Sequence, residues 1–199
     1  MILTHTFNLL SHPNQAWVNL RDSQPSVANC FVQHLLWLAL IPPLCLYLGT
    51  TQVGWRVGSG EPVYLTTASA LTMACLFYLA ILAGTFALGH LIHWMAQTYG
   101  AESSHGAAMA LATYSITPLM LCGVLGLYPV AWVSLLVGIG AVAHSVYLLF
   151  VGVTPMMKIS REQGVLFASA ILAVALVFTV ALMAASVILW NFGAGPVFL

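Results

Sequence analysis

The chain has 199 residues, 61% of them hydrophobic and only 4% charged, with a mean hydropathy of +1.01. A soluble domain carries about a quarter charged residues, so this chain cannot clothe a globule in polar side chains, and lipid must solvate much of its surface. Four basic and four acidic residues cancel, which argues against nucleic acid as a partner.

The first residues, MILTHTFNLLSHPNQAW, lack a basic leader and hold too short an apolar stretch for a signal peptide. The first long apolar segment is therefore expected to remain as an anchor. Within LLSHPNQAWVNL, Pro13 suits the first turn of a helix. Trp17, Val18 and Leu20 would then face the lipid boundary, giving a short helix in the cytoplasmic interface. Residues 1–30 thus read as an interfacial segment and residues 31–199 as the membrane domain.

A membrane-crossing helix needs about 20 mostly apolar residues. The apolar runs are continuous rather than alternating, which favours helices over a barrel. Spans are expected near residues 31–50, 68–94, 106–125, 130–151 and 165–190, an all-α bundle of five transmembrane helices. From Ser103 to Met157 the chain has no Asp, Glu, Lys or Arg, a stretch too long for one crossing. GLYP at residues 126–129 divides it: Gly126 can close one helix and Pro129 open the next. Tyr128 and Trp132 mark the membrane interface there.

Two proline devices interrupt the spans. Pro42-Pro43 lies in the first, and Pro118 lies in the third, where its ring crowds the Tyr114 carbonyl. Ser115, Thr117 or a neighbouring helix could answer that carbonyl. Pro42, Pro43, Tyr114, Thr117 and Pro118 are accordingly the candidates for a cavity lining or hinge. Small residues at helical spacing suggest helix contacts: Ala80, Ala83, Gly84 and Ala87 in the second span, Gly138, Gly140 and Ala141 in the fourth, and Ser169, Ala173, Ala181 and Ala185 in the fifth.

Five crossings put the termini on opposite sides. Arg21, Lys158 and Arg161 would share one side and Arg56 the other, which by the positive-inside rule makes the N-terminus cytoplasmic. No carboxylate falls well inside a span, which weighs against a proton relay and against paired-carboxylate catalysis. His144 and Ser145 are adjacent and diverge on a helix, so they do not make a nucleophile–base pair. No cofactor motif is evident: GSGEP at residues 58–62 lacks the lysine of a phosphate loop. The four cysteines read as free thiols. His90 and His93 share a helix face, with Glu102 and His105 following; they are either interfacial residues or weak candidates for a metal site. Thr50, Thr51, Gln52 and Trp55 after the first span could cap it or meet a lipid headgroup.

The series LLSHPNQAW, GTTQVGW, FYLAILAG, YSITPL, LYPVAW, VYLLFVGV and ISREQG runs through nearly the whole chain. In order and spacing it resembles the Yip family, most closely its bacterial inner-membrane branch. The residues carrying the resemblance include Pro13, Trp17, Gln52, Trp55, Tyr128, Pro129, Trp132, Tyr147 and Gly152. The resemblance implies five spans in the inner membrane, a cytoplasmic N-terminus, a short exported C-terminus and no established enzymatic activity. The small-residue faces and the interfacial segment suggest a non-enzymatic membrane protein, without cofactor, that organises the bilayer, copies of itself or other membrane proteins through helix packing. The alternatives from the residues alone are a small-solute channel or carrier and a cytoplasmic-face metal-binding protein.

Overall fold

The computed structural model describes residues 9–55, 61–101, 103–128 and 130–199. A short helix α1 (Pro13–Asp22) precedes five long apolar helices: α2 (Val27–Val53), α3 (Thr67–Tyr99), α4 (His105–Leu127), α5 (Ala131–Met157) and α6 (Arg161–Ala194). Each of the five is long and apolar enough to cross a bilayer. Among the described residues, β pairing is confined to isolated bridges, Trp55–Val63 and Leu65–Phe198.

The helices overrun the apolar windows because polar side chains start them. Ser26, Thr66, Ser104 and Ser160 each accept a hydrogen bond from a backbone N–H in the first turn. Ser160 and Gln163 complete a reciprocal capping box. Gly100 ends α3 in the left-handed region, at φ 65°. The apolar core of four of the five spans is therefore preceded by a polar turn that a hydropathy window discounts; α5 alone starts after Val130 without a side-chain cap.

Helix α4 is the centre of the bundle. Its most apolar window is 56% buried, against 6% for α3 and 17% for α6. Small residues let neighbours close on it. At one end Gly106 presses on the Pro25 carbonyl, and at the other Gly123 presses on Pro42, where a Cβ would stand 2.6 Å from the Pro42 Cα. Gly126 meets the backbone of Leu46, and a Cβ on Gly49 would collide with the Gly126 carbonyl oxygen. Gly126 is thus needed for close approach: it has no positive φ, and α4 runs past it through a tight turn over Gly123–Leu127. Pro129 lies outside the described residues.

One expectation is overturned at the N-terminus. Trp17 does not face the lipid boundary; it is 0% exposed. The reason is the bare backbone of Gly152 on α5, which leaves a slot beside Leu111 that the indole fills. Helix α1 therefore docks onto the bundle through Trp17, while Val18 stays exposed.

The small residues of the last two helices also lie elsewhere than expected. Gly138 and Gly140 have no atom within 4 Å of where a Cβ would be. Ser169, Ala173, Ala181 and Ala185 are all exposed. At the C-terminal end of the bundle the last residues fold back: Thr66 N–H donates to the Val197 carbonyl (2.8 Å) and Leu199 N–H to that of Tyr64 (3.0 Å). Ser69 Oγ donates to the Gly195 carbonyl (2.9 Å) and lies 3.0 Å from the Val197 amide.

Candidate functional site

Both proline devices become helix restarts. In α2 the ladder breaks at Ala39–Leu40 and resumes at Ile41, with Pro42 and Pro43 in the first turn, where a missing N–H costs least. In α4 it breaks at Ile116 and resumes at Thr117, with Pro118 in the first turn. All three prolines are buried, and the Pro42 ring is packed on Gly123.

The break in α4 carries a polar constellation. Thr117 Oγ1 lies 3.0 Å from Nε2 of His34, and the His34 ring stacks on Tyr114 at 4.1 Å between centroids and 29°. His34 is 2% exposed and Thr117 1%. His34 reaches this position from a π-helical turn, Phe31–Leu35. Such turns widen the ladder by one residue and recur at functional sites. The Tyr78 hydroxyl donates to the Leu36 carbonyl (3.2 Å), tying α3 to the same distorted stretch.

The hydroxyl and the imidazole can pair in two senses. A neutral ring accepts from Thr117 or donates to it; a protonated ring can only donate. The bond that Thr117 Oγ1 makes among the described residues is to His34 rather than to the Tyr114 carbonyl that Pro118 frees. Thr113 Oγ1 and Ser115 Oγ, from the same stretch of α4, are buried without a hydrogen-bond partner. A hydroxyl beside an imidazole is half of a nucleophile–base pair, but at 1% exposure Thr117 is closed to any substrate in this structure.

The structure joins Tyr114 and Thr117 with His34, a residue outside the candidates read from the sequence. The available signal was an ionisable side chain inside a span, which is costly unless paired or functional. Pro42 belongs to a different contact, with Gly123 near the end of α4, and Pro43 is buried beside it in the chain.

The remaining candidates are spread out. His90, His93 and His105 come together, with ring centroids 3.7 Å apart for His93–His105 and 5.2 Å for His90–His105. Glu102 lies outside the described residues, and among those described no group of three or more His, Cys, Asp or Glu is arranged to hold a metal ion. Gln52 and Trp55 are exposed near the C-terminal end. There Thr50 and Thr51 donate back to the Leu46 and Tyr47 carbonyls (2.8 and 2.7 Å), so their hydroxyls serve the helix end. Tyr128 and Trp132 are each 67% exposed, as interfacial aromatics would be. Tyr147 is exposed on α5, with its ring 5.8 Å from that of His144. Cys30, Cys45, Cys75 and Cys122 are free thiols.

Comparison with known proteins gives a consistent answer. A family model described as the Yip1 domain matches residues 7–183. The inner membrane protein YohC of Escherichia coli strain K12 is 36% identical over 191 residues, covering 96% of this chain and 98% of that protein. The YohC of E. coli O6:H1 strain CFT073 matches to the same extent. No solved structure matches. With a family match over most of its length and five helices fit to cross a bilayer, this chain belongs to the Yip1 family as an integral membrane protein.

Proposed function

We propose that the protein is a non-catalytic organiser of the bacterial inner membrane, acting by lateral association with copies of itself or with another membrane protein. The N-terminus lies in the cytoplasm and the C-terminus outside. The observation that supports this is the outward face of α5 and α6. Trp132, Leu135, Leu136, Ile139, Val177, Val180 and Met183 are each more than half exposed, and Gly138 and Gly140 flank the α5 stripe on its two sides with no neighbouring helix within 4 Å of a Cβ position. Apolar side chains alone would suit lipid. Glycines facing lipid gain nothing there and weaken the helix, by about 1 kcal/mol each relative to alanine. Where a second helix approaches, they permit backbone contact. The placement of Arg21, Lys158 and Arg161 at one end of the bundle supports the orientation.

Crosslinking in intact membranes and native mass spectrometry in mild detergent test the reading, comparing the wild type with Gly138→Leu. No atom of the protomer is close enough to Gly138 to resist the larger side chain, so the variant should fold. The expected outcome is a wild-type oligomer or defined membrane-protein complex that Gly138→Leu disperses. A wild type that stays monomeric under both conditions removes the proposal.

A further inference from the structure

The junction of α3 and α4 gathers three imidazoles that the His34 site does not use. His90 and His93 stand on the last turns of α3, and His105 opens α4. The His93 and His105 rings are 3.7 Å apart, tilted by 39°; the His90 and His105 rings are 5.2 Å apart and nearly perpendicular. His90 Nδ1 lies 3.0 Å from the Phe86 carbonyl oxygen. A carbonyl can only accept, so that nitrogen carries a proton, and Nε2 is the site that gains or loses one. His93 Nδ1 is shut off from solvent without a hydrogen-bond partner. Rings packed at 3.7 Å do not aim their nitrogens at a common point, which agrees with the absence of a ready metal arrangement among the described residues.

We infer that His90, His93 and His105 form a proton-responsive latch between the end of α3 and the start of α4, closed while the cluster holds at most one charge and forced open by a second. One imidazolium packed on a neutral ring is tolerated, since a cation is attracted to an aromatic face. Two imidazolium ions at this separation repel, with water screening the exposed His90 and His105 rings more than the half-buried His93. No anion offsets that repulsion in what the structure describes. The ionisable groups toward this end of the surrounding elements include Cys30 and His34 on α2, Tyr99 on α3, Tyr114 on α4, Lys158 after α5, and Arg161 and Glu162 at the start of α6; Glu102, between α3 and His105, lies outside the described residues. Arg21 and Asp22 on α1 pair with each other at 2.8 Å. Among the described residues, no hydrogen bond or ion pair joins the three imidazoles to any of these groups.

The hinge is in place. Gly100 turns the chain at φ 65°, with nothing near it. The start of α4 is wedged on its other side by Gly106 against the Pro25 carbonyl, so moving His105 also loosens the segment that carries α1.

The test uses the full chain in nanodiscs with isotope-labelled histidine. Ring signals of His93 and His105 are expected to titrate in two separated, coupled steps. Exchange protection of amides 105–110, corrected for intrinsic rates, should fall several-fold between about pH 7.5 and 5.5. His105→Gln, at an exposed ring, should abolish that fall. Independent single-step titrations of the three rings in the unaltered chain overturn the inference, as does an equal loss of protection in His105→Gln.

Discussion

Trp17 on the short N-terminal helix packs its indole against the bare Cα of Gly152 on α5, where a Cβ would come within 2.5 Å of the ring. This contact makes α1 part of the bundle. It also explains why a glycine sits in a helix that otherwise carries bulky side chains toward its end. Replacing Trp17 by Ala should empty the slot and cost about 3–5 kcal/mol, as for a fully buried aromatic. Gly152→Val should expel the indole and cost a comparable amount. Thermal unfolding in detergent checks both. The double variant should lose clearly less than the sum, because each change destroys the same contact.

A second expectation concerns the polar break. Thr117→Val keeps the shape of the side chain but leaves His34 Nε2 without its hydroxyl at 3.0 Å. Stranding one partner of a buried hydrogen bond costs about 1–3 kcal/mol. Thr117→Ser keeps the hydroxyl and should recover most of the loss. A melting curve separates the two variants; equal destabilisation by Ser and Val would show that the methyl, which Ser loses, matters as much as the bond, which Val loses, and an unaffected Val variant would show that the bond does not matter.

How far the sequence carries to these contacts depends on distance along the chain. The five spans are legible because each is a continuous apolar run, and the break at Pro118 because proline removes an N–H wherever it stands. Tyr114 and Thr117 were found through that break. His34 was not, since its partner lies 83 positions away and nothing beside it announces the contact. Trp17 misled for the same reason: NQAWVNL looks amphipathic on its own, and the slot at Gly152 exists only after α4 and α5 have packed. The glycines show the limit most clearly. Gly126 and Gly138 look alike in sequence, yet one is crushed against Leu46 and the other faces outward.

That contrast can be measured. Gly126→Ala would place a Cβ 2.9 Å from the Leu46 amide nitrogen, so backbone must move, and Gly49→Ala would strike the Gly126 carbonyl. Both should lower the melting temperature substantially, with overpacking costs of about 1–3 kcal/mol or more. Gly138→Ala meets nothing in the protomer. It should be neutral or stabilise the isolated chain by up to about 1 kcal/mol, through helix propensity alone. Comparing the three substitutions in one detergent separates protomer packing from lateral association, because only the third leaves every internal contact intact.

The C-terminal fold-back yields the last expectation. Ser69 is the hub: its hydroxyl donates to the Gly195 carbonyl (2.9 Å) and accepts from the Val197 amide (3.0 Å). Two backbone bonds, Thr66 to Val197 and Leu199 to Tyr64, lie beside it. Ser69→Ala removes both side-chain bonds while leaving the start of α3 helical, since the Ser69 amide still reaches the Thr66 cap. The tail should then be held by those two backbone bonds alone, which together make the Leu65–Phe198 bridge. Each lost bond to a neutral group is worth about 0.5–1.5 kcal/mol, enough together to raise amide exchange at Val197 and Leu199 by roughly tenfold or more. Global melting should change little, because Val197 and Leu199 are exposed and bury no core. Unchanged exchange at those two amides would mean that the two backbone bonds of the Leu65–Phe198 bridge hold the tail without Ser69.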